Sequence, residues 1–594
     1  MCAIAGELNT RGGAADPRVV TRMAEAMAAR GPDGHGTLAR AWVALSHRRL
    51  KVIDLSERAA QPMRDPELGI TVAFNGCIYN HAELRDELRD EFTPATRSDT
   101  EVILHAYARW GTRFVEHLVG MFAIAVFDER RDRVVLARDR LGIKPLYVSE
   151  VPGRIRFAST LPGLLAGGDV DTTLDPVAVH HYLTWHSIVP APHTLLTGAR
   201  KLPPATVRVI EADGRSREWT YWEPAYARVL ERSDWSADDW SAAIEESLRT
   251  AVRRRLVADV PVGVLLSGGL DSSLLVALAA AHSPEPLHTF SIGFTAAGGE
   301  TGDEFRYSDR VAEQYGTQHH QMRIGEAELA AAIPDAIAAM TEPMASHDVT
   351  AFYLLAQATA PHVSVVQSGQ GADEVFAGYG YHGSAAGAAR TDAAAQFRAE
   401  FHDRSHAEVG ALLRPPHRLP DDASRGVVDA HLAQPGAETA VDAVLRFDTH
   451  VLMPDDPVKR VDSMTMSAGL EARVPFLDQD LVELAASCPP ELKTRHGGKG
   501  VLKEIGRRVL PRDVVDRPKG YFPVPGLRHL DGDVLGTVTD AMTSPEARRR
   551  GLLSSDAVAA LLADPNGASD QRGGNALWSL AVLEMWCQEH GVRA

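Results

Sequence analysis

An apolar run, a glycine-rich turn and a helical segment follow one another between residues 262 and 281. This order restricts the folds open to the chain more than any other feature. The run Val262–Leu266 is typical of a buried strand, the turn is Ser267-Gly268-Gly269, and Leu274–Ala281 has helical character. Strand, glycine loop and helix in this order open nucleotide-binding α/β domains. Glycines let backbone N–H groups approach phosphate oxygens, and a helix N-terminus favours negative charge, so we predict a phosphate site here.

A second glycine loop extends from Ser368 to Glu374, directly after the apolar run Val363–Gln367. Two such loops leaving strands of one sheet would face each other across its carboxyl edge, where ligands bind in open α/β sheets. Asp271, Asp373 and Glu374 are then candidate Mg²⁺ partners, because Mg²⁺ usually takes one or two carboxylates plus phosphate oxygens. The alternative, that Asp373 is only an acidic residue at a helix N-terminus, stays open.

The second residue of the chain is a cysteine. Trimming of Met1 would leave Cys2 with a free α-amine and a thiol, and a nucleophile whose own terminal amine acts as general base is a compact catalytic device. A lone cysteine near a terminus is weak evidence, so this hypothesis depends on the rest of the sequence.

Length and charge exclude several classes of protein. At 594 residues the chain is expected to form two to four domains, and 45% hydrophobic and 24% charged residues are typical of a soluble protein. The 62 basic and 79 acidic side chains give a net charge of -17, which argues against nucleic-acid or anionic-membrane partners. No signal peptide or membrane span is predicted.

The four cysteines lie far apart, with no CxxC pair and no histidine spacing suited to zinc. A reduced, cytoplasmic compartment is expected.

Patterns along the chain predict its organisation. The first 210 or so residues are expected to form short strands, with Thr71–Phe74 running into a turn at Asn75-Gly76. The runs Met121–Asp128 and Val134–Asp139 are apolar on both faces and suit strands buried in a layered sheet. Ser236, with Asp239 three residues on, predicts a helix start. Residues 384–445 are expected to be helical and carry no chemical motif.

The N-terminal motifs resemble the glutaminase half of class II glutamine amidotransferases. They are MCAIAG at 1–6, RGPD at 30–33, HRRL at 47–50, NG at 75–76 with IYN at 78–80, SDTE at 98–101 and RDRLG at 138–142. The C-terminal motifs resemble the synthetase half of glutamine-dependent asparagine synthetases. They are SGGLDSS at 267–273, SGQGADE at 368–374, EARVPFLD at 471–478 and RPKGYF at 517–522.

The resemblance covers nearly the whole chain and implies an α/β protein of two domains. Residues 1–215 would form a four-layer αββα glutaminase sandwich of the N-terminal-nucleophile type. Residues 216–239 would be a linker, and 240–594 an ATP-pyrophosphatase domain with a parallel sheet and many helices. An ammonia channel between the domains and a homodimer are further implications of the resemblance.

Residue roles in the first half follow from the resemblance. Cys2 would attack the carboxamide of glutamine, with Asn75 and the Gly76 N–H as oxyanion hole. The glutamine-binding residues would be Arg49 for the α-carboxylate, Asp99 for the α-ammonium, the backbone of Val52 and Ile53, and the neighbouring Asn75, Gly76 and Cys77.

In the second half the resemblance implies ATP-binding positions, a lysine and a metal pair. The ATP positions are Leu266, Ser267, Gly268, Gly269, Asp271, Ser272, Ile292, Ser368 and Gly369. Lys499 would neutralise charge as an acyl-adenylate forms and reacts. Asp271 and Asp373 would hold Mg²⁺.

Several positions depart from the usual asparagine synthetase pattern. Cys77 replaces a glutamate, which leaves Asp99 to hold the glutamine ammonium, and Cys77 is expected to be a packing residue. Gln370 replaces a glutamate tied to adenylate formation. With FAST at 157–160, LPPAT at 202–206 and EPMASHD at 342–348, these departures resemble the N-acetylglutaminylglutamine amidotransferases, which amidate an acylated dipeptide to make an osmoprotectant.

Three alternatives stay open. The chain could be an ordinary asparagine synthetase that acts on aspartate. It could be a catalytically silent sensor of glutamine or nucleotide, against which the intact Cys2 and SGGLDSS speak. A β-lactam-forming cyclase ranks last, because it would have no use for Cys2. His319-His320 and His347-Asp348 are candidate acceptor contacts, with satisfied polar residues as the alternative.

Overall fold

The computed structural model describes residues 2–283, 285–518, 520, 524–571 and 573–593. Tyr521 and Phe522 of the RPKGYF motif, and its Lys519, lie outside the described residues. Met1, whose trimming we predict, also lies outside them.

The N-terminal half contains two antiparallel sheets within residues 2–220. One sheet has the strand order β10-β8-β9-β1-β3-β2, and the other has the order β12-β11-β7-β6-β5-β4. The strands are β1 Cys2–Asn9, β2 Gly34–Arg40, β3 Val43–Arg49, β4 Met63–Asp65, β5 Ile70–Ile78, β6 Gly120–Asp128, β7 Arg133–Arg138, β8 Tyr147–Val151, β9 Arg154–Ala158, β10 Arg200–Lys201, β11 Thr206–Glu211 and β12 Ser216–Thr220.

The two sheets pack face to face, and helices cover their outer faces. The inner core contains Ile4, Leu45 and Ala125, whereas Ile124 and Val126 of the same β6 point to the opposite core beneath the helices. This two-sided burial confirms the layered αββα prediction. The helices of this half are α1 Pro17–Glu25, α2 His81–Leu88, α3 Asp99–Trp110, α4 Phe114–His117, α5 Leu161–Leu165 and α6 Pro176–Thr184.

The predicted turn at Asn75-Gly76 is wrong, because β5 continues through both residues to Ile78. A Cβ atom on Gly76 would lie 2.0 Å from the Met121 carbonyl oxygen of the neighbouring strand. The glycine therefore permits a close approach of two strands.

The sheet of the N-terminal half extends into the predicted linker. Strand β12, which starts at Ser216, pairs with β11 along its length. The next long helix begins at Ala237, capped by Ser236 and Asp239 as predicted. The division into two domains with a linker at 216–239 stays a prediction.

The C-terminal half contains one parallel sheet in its described part, with the strand order β15-β14-β13-β16-β17. Its strands are β13 Val262–Leu265, β14 His288–Phe294, β15 Gln318–Ile324, β16 Val365–Gln367 and β17 Glu471–Arg473. Strands β13 and β16 are neighbours, so the two glycine loops leave adjacent positions on one sheet edge, as predicted.

Many helices surround this sheet, and residues 384–445 are largely helical, as expected. The helices are α7 Ala237–Arg254, α8 Leu270–Ala280, α9 Phe305–Tyr315, α10 Glu326–Ala339, α11 Asp348–Thr359, α12 Ala372–Val375, α13 Gly380–Ala386, α14 Ala393–Phe401, α15 His406–Leu412, α16 Ala423–Ala433, α17 Ala440–Phe447, α18 Met453–Asp455, α19 Pro457–Met466, α20 Gln479–Ser487, α21 Pro490–Thr494, α22 Gly500–Val509, α23 Arg512–Val515, α24 Pro525–Arg528, α25 Gly532–Thr543, α26 Pro545–Arg550, α27 Ser555–Ala563 and α28 Ala576–Glu589.

Buried ion pairs join the two halves. Asp462 of α19 accepts from Arg30 at 2.9 Å and from Lys144 at 2.9 Å, and all three side chains are buried. Lys201 of β10 pairs with Glu342 at 2.8 Å and also with Asp455. Removing one member of such a group leaves an uncompensated buried charge, so these contacts hold the halves in one arrangement.

Candidate functional site

Cys2 lies at the start of β1, where the two N-terminal sheets meet. It is buried and pairs in register with Arg49 of β3. Its backbone N–H donates to the Oδ1 atom of Asn75, which belongs to β5 in the facing sheet, at 3.2 Å. The two sheets therefore bring the predicted nucleophile and the predicted oxyanion-hole residue together.

A small cavity of about 30 Å³ opens beside Cys2. The predicted glutamine-site residues that line it with Cys2 are Arg49, Val52, Ile53, Gly76, Cys77 and Asp99. Asn75 is absent from this lining and lies fully buried behind Cys2.

The two charged groups that the N-terminal half contributes to this cavity, Arg49 and Asp99, are held by backbone contacts. Arg49 donates to the Ser56 carbonyl oxygen at 2.8 Å and also to the carbonyl of Asp54. Asp99, at the start of α3, accepts from the Ile78 N–H at 3.2 Å. Burial raises the pKa of the Asp99 carboxyl, against the opposing charge of His81. One fixed cation and one carboxyl group suit a ligand with the two charges of an amino acid.

The Cys2 thiol is protonated in its resting surroundings. Burial raises the pKa of the thiol above its ordinary value, and the positive charge of the chain terminus, together with a hydrogen bond from the Leu50 backbone, opposes this effect. Because the thiolate is the nucleophile, reaction at Cys2 needs a base to take the thiol proton, which fits the device of a terminal amine.

Cys77 is a packing residue in this structure. Burial raises the pKa of its thiol to about 12, so it stays protonated at neutral pH. Its sulfur accepts from the Arg473 guanidinium at 3.5 Å. This environment favours the predicted packing role over a second nucleophile.

Glu471 also lines the cavity beside Cys2, a placement that no sequence pattern indicates. The residue lies on β17 of the C-terminal half and pairs with Arg473 at 2.6 Å. The EARVPFLD motif was visible in the sequence, but its position against the N-terminal half depends on the packing of the two halves. The cavity beside Cys2 is thus completed by the other half of the chain.

A second cavity, of about 540 Å³, lies at the carboxyl edge of the parallel sheet. The predicted nucleotide-site residues that line it are Leu266, Ser267, Gly269, Asp271, Ser272, Ile292, Ser368 and Gly369, together with Gln370 and Asp373. The two loops approach closely, since a Cβ atom on Gly369 would lie 3.1 Å from the Cβ atom of Asp271. The structure brings both predicted phosphate loops into one cavity.

Gly268 is the predicted ATP position that does not line this cavity. Its φ is 74°, and a Cβ atom there would lie 2.7 Å from the Cβ atom of Tyr307 and from the N atom of Ser308. Its role is to let the loop turn closely against α9.

Lys499 joins the two loops through their aspartates. Its Nζ atom lies 2.6 Å from Asp271 Oδ2 and 2.8 Å from Asp373 Oδ2. Burial would lower the pKa of Lys499, but the two carboxylates outweigh this effect and raise it, so the ammonium stays charged. The two carboxylates converge on one cation, so Asp271 and Asp373 fit a Mg²⁺ ion shared with phosphate oxygens. Asp373 also lies in the first turn of α12, so its two predicted roles are compatible.

The cavity at the carboxyl edge of the parallel sheet continues beyond the loops to residues that were not predicted as site residues from the sequence. They include His186, Ser187, Phe352, Tyr381, Phe401, Asp403 and Arg460, together with the predicted His347 and Asp348. His186 and Ser187 belong to the N-terminal half and have φ values of 48° and 67°. Strained backbone of this kind clusters at ligand sites, and here it bounds the cavity.

The other predicted acceptor contacts do not reach this cavity. His319 and His320 lie on the outer strand β15, where they bond to Thr289 at 2.9 Å and to His288 at 3.1 Å. They are satisfied polar residues, which was the alternative reading of the sequence.

None of the described helices is long and apolar enough to cross a membrane.

Family models match both halves of the chain. One is described as a glutamine amidotransferase domain and matches residues 1–222; the other is described as asparagine synthase and matches residues 243–588.

Similar curated proteins align over nearly the full length. A putative glutamine-hydrolysing asparagine synthetase of Mycobacterium tuberculosis is 31% identical over 99% of this chain and 97% of its own. Asparagine synthetase 1 (glutamine-hydrolysing) of Bacillus subtilis is 29% identical over 99% and 96%. Asparagine synthetase B (glutamine-hydrolysing) of Escherichia coli is 28% identical over 88% and 82%. A solved glutamine phosphoribosylpyrophosphate amidotransferase of B. subtilis covers 56% of this chain and 92% of its own, at 14% identity and a TM-score of 0.30.

Proposed function

Because this chain belongs to the glutamine-dependent asparagine synthase family, we propose that it takes ammonia from glutamine at Cys2 and transfers it to a carboxylate activated by ATP. The chain is a carbon–nitrogen ligase of the asparagine synthase type. The residues of each step, the acceptor, Mg²⁺ and the cytoplasmic location are parts of the proposal.

In the first step the Cys2 sulfur attacks the carboxamide carbon of glutamine. A thioester forms, ammonia leaves, and water then releases glutamate. Asn75 and the Gly76 N–H stabilise the oxyanion, and losing one such donor typically costs about 10²–10³ in rate. Arg49 binds the α-carboxylate, a task that suits its bidentate fork, and Asp99 binds the α-ammonium.

In the second step the two glycine loops hold ATP. The acceptor carboxylate attacks the α-phosphorus, pyrophosphate leaves, and ammonia displaces AMP from the acyl-adenylate. Lys499 is placed to neutralise charge as the adenylate forms and reacts. Mg²⁺ at Asp271 and Asp373 would supply positive charge to the polyphosphate when bound.

The pairing of β16 with β17 is the observation that best supports ammonia transfer between the two cavities. Strand β16 ends in the second phosphate loop, and Glu471 of the adjacent β17 lines the cavity of Cys2. One strand pair thus touches both cavities. An enclosed route between them would keep ammonia from being protonated in solvent and water from the adenylate.

For the acceptor we propose N-acetylglutaminylglutamine. Gln370 lines the cavity where a carboxylate is usual, and the cavity continues past the loops among Phe352, Tyr381 and Phe401. The amide at Gln370 and the aromatic rings suit a bulky, acylated acceptor, while the carboxylates of Asp348 and Asp403 also line this part of the cavity. Aspartate is the second candidate acceptor, because the similar proteins are named asparagine synthetases.

The test is a competition between the two acceptors. The protein receives ATP, Mg²⁺ and amide-¹⁵N glutamine with equal amounts of aspartate and N-acetylglutaminylglutamine, and mass spectrometry follows the label. We expect label in the dipeptide amide with one AMP formed per amide. Label in asparagine instead would assign the aspartate reaction. Gln370→Glu is the matched variant, and it should lower the preference for the dipeptide if this position selects the acceptor.

A further inference from the structure

Helix α6 of the N-terminal half meets the helical segment 384–445 in a group of polar side chains apart from both cavities. His180 lies on α6, His406 is the first residue of α15, and Asp422 caps the N-terminus of α16. The Nε2 atom of His180 lies 2.9 Å from the Nδ1 atom of His406 and 3.9 Å from the Oδ1 atom of Asp422. Three ligand atoms from three helices therefore converge on one position.

The orientation of the His180 ring is fixed from behind. Its Nδ1 atom lies 2.8 Å from the Oγ atom of Ser424, which is fully buried on α16. The same hydroxyl also lies 2.9 Å from the Nδ1 atom of His181. In the tautomer that carries its proton on Nδ1, His180 directs its Nε2 lone pair toward His406 and Asp422. Metal-binding histidines are almost always held in this way through their second nitrogen.

The spacing suits a small divalent metal. Two nitrogens bound tetrahedrally at about 2.0–2.1 Å from one Zn²⁺ are about 3.3 Å apart. The nitrogens of His180 and His406 lie 2.9 Å apart, within hydrogen-bonding distance, so they must separate slightly to bind the ion. The rings of His180 and His406 have their centroids 5.2 Å apart. Asp422 Oδ1 also accepts the Arg425 N–H at 2.9 Å and keeps a further lone pair.

We propose that His180, His406 and Asp422 bind one Zn²⁺ ion, with water as the fourth ligand. Imidazole and carboxylate are ligands that zinc prefers, and two histidines with one carboxylate form a recurrent zinc set. The ion joins α6 of the glutaminase half to α15 and α16 of the synthetase half. This gives a role to a segment in which the sequence showed no motif, because His180 lies 226 residues before His406 in the chain.

The experiment measures zinc in protein purified without a histidine tag. The protein is incubated with one equivalent of Zn²⁺, freed of loose metal by dialysis against a weak chelator, and analysed by plasma mass spectrometry. We expect about one zinc per chain, and at least a tenfold loss in His406→Ala and in Asp422→Asn. Ser424→Ala should weaken zinc affinity about 10–100-fold, since second-shell partners have effects of this size.

Two control variants separate this site from others. His193→Ala alters a neighbouring histidine that pairs with Asp175 at 3.3 Å and should keep its zinc. Asp373→Asn alters the nucleotide cavity and should also keep it. Far-ultraviolet circular dichroism checks that His406→Ala, a half-exposed position, is folded. Absence of zinc from the wild type would overturn the proposal, and so would zinc retained in a folded His180→Ala/His406→Ala double variant.

Discussion

The guanidinium of Arg473 lies 3.5 Å from the sulfur of Cys77, although the two residues belong to different halves of the chain. Arg473 also donates to the carbonyl oxygens of Arg255 and Val257 at 3.0 and 2.7 Å, so its position is fixed by the C-terminal half. The wall of the cavity beside Cys2 is therefore partly built by the sheet that carries the phosphate loops.

Cys2→Ala should abolish synthesis from glutamine and leave synthesis from ammonium salts. The substitution removes the nucleophile without touching the nucleotide cavity. Product formation from each nitrogen source, measured as AMP release, checks this. Loss of ammonia-driven synthesis as well would show that the two cavities do not work separately.

Cys77→Ala is the matched control for Cys2→Ala. Because burial raises the pKa of the Cys77 thiol to about 12, the thiol is no nucleophile at neutral pH. Glutaminase activity should stay within a few-fold of wild type. A loss comparable to that of Cys2→Ala would assign Cys77 a chemical role.

Asp462→Asn should weaken the docking of the two halves. The substitution leaves Arg30 and Lys144 buried without their carboxylate, and breaking a buried pair in this way typically costs about 3–5 kcal/mol. We expect a lower urea midpoint and more glutamate released per amide formed. Unchanged stoichiometry at a lowered midpoint would mean that docking does not guide ammonia.

The same aspartate should give the stability a dependence on acid pH. Burial would raise the pKa of Asp462, but Arg30 and Lys144 outweigh it and lower the pKa below its ordinary value. Its contribution is thus fully present above the unfolded value of about 3.9 and is lost as pH falls through the lower folded value. The difference in urea midpoint between wild type and Asp462→Asn should be constant above about pH 5 and shrink below about pH 3.9. A difference that stays constant to pH 2.5 would contradict this assignment.

Lys499→Met should impair the synthetase step alone. The variant removes the cation between Asp271 and Asp373, and losing such electrostatic stabilisation typically costs about 10²–10³-fold in rate. Pyrophosphate release with saturating acceptor and ammonia measures the effect. Lys503→Met, one helical turn further on, is the control and should stay near wild type. Equal losses in both variants would place the effect in the helix rather than in the ammonium.

Local patterns predicted the parts of this fold that depend on neighbouring residues. The cap of α7 at Ser236, the strand before SGGLDSS and the helical character of 384–445 follow from spacing and residue type. The turn predicted at Asn75-Gly76 is wrong because the same dipeptide also occurs where two strands approach closely. Only the position of the partner strand distinguishes the two cases.

The contacts between the two halves could not be predicted from the sequence. Glu471 lies beside Cys2, and His180 beside His406, only after distant segments have packed. His186 and Ser187 are ordinary residues by type, and their strained backbone shows only in three dimensions. A resemblance could carry residue roles onto single positions, but it could not say which half of the chain completes which cavity.

Asp462 limits how freely one half of the chain could be replaced by the corresponding half of another protein. Arg30, which it holds, also reaches the Cys2 carbonyl oxygen at 3.5 Å, so the backbone of the nucleophile is one side chain away from the partner half. A glutaminase half of this kind is no self-sufficient module. Any new synthetase fused to it must present an acid at this position, or two buried cations stay without a counter-charge.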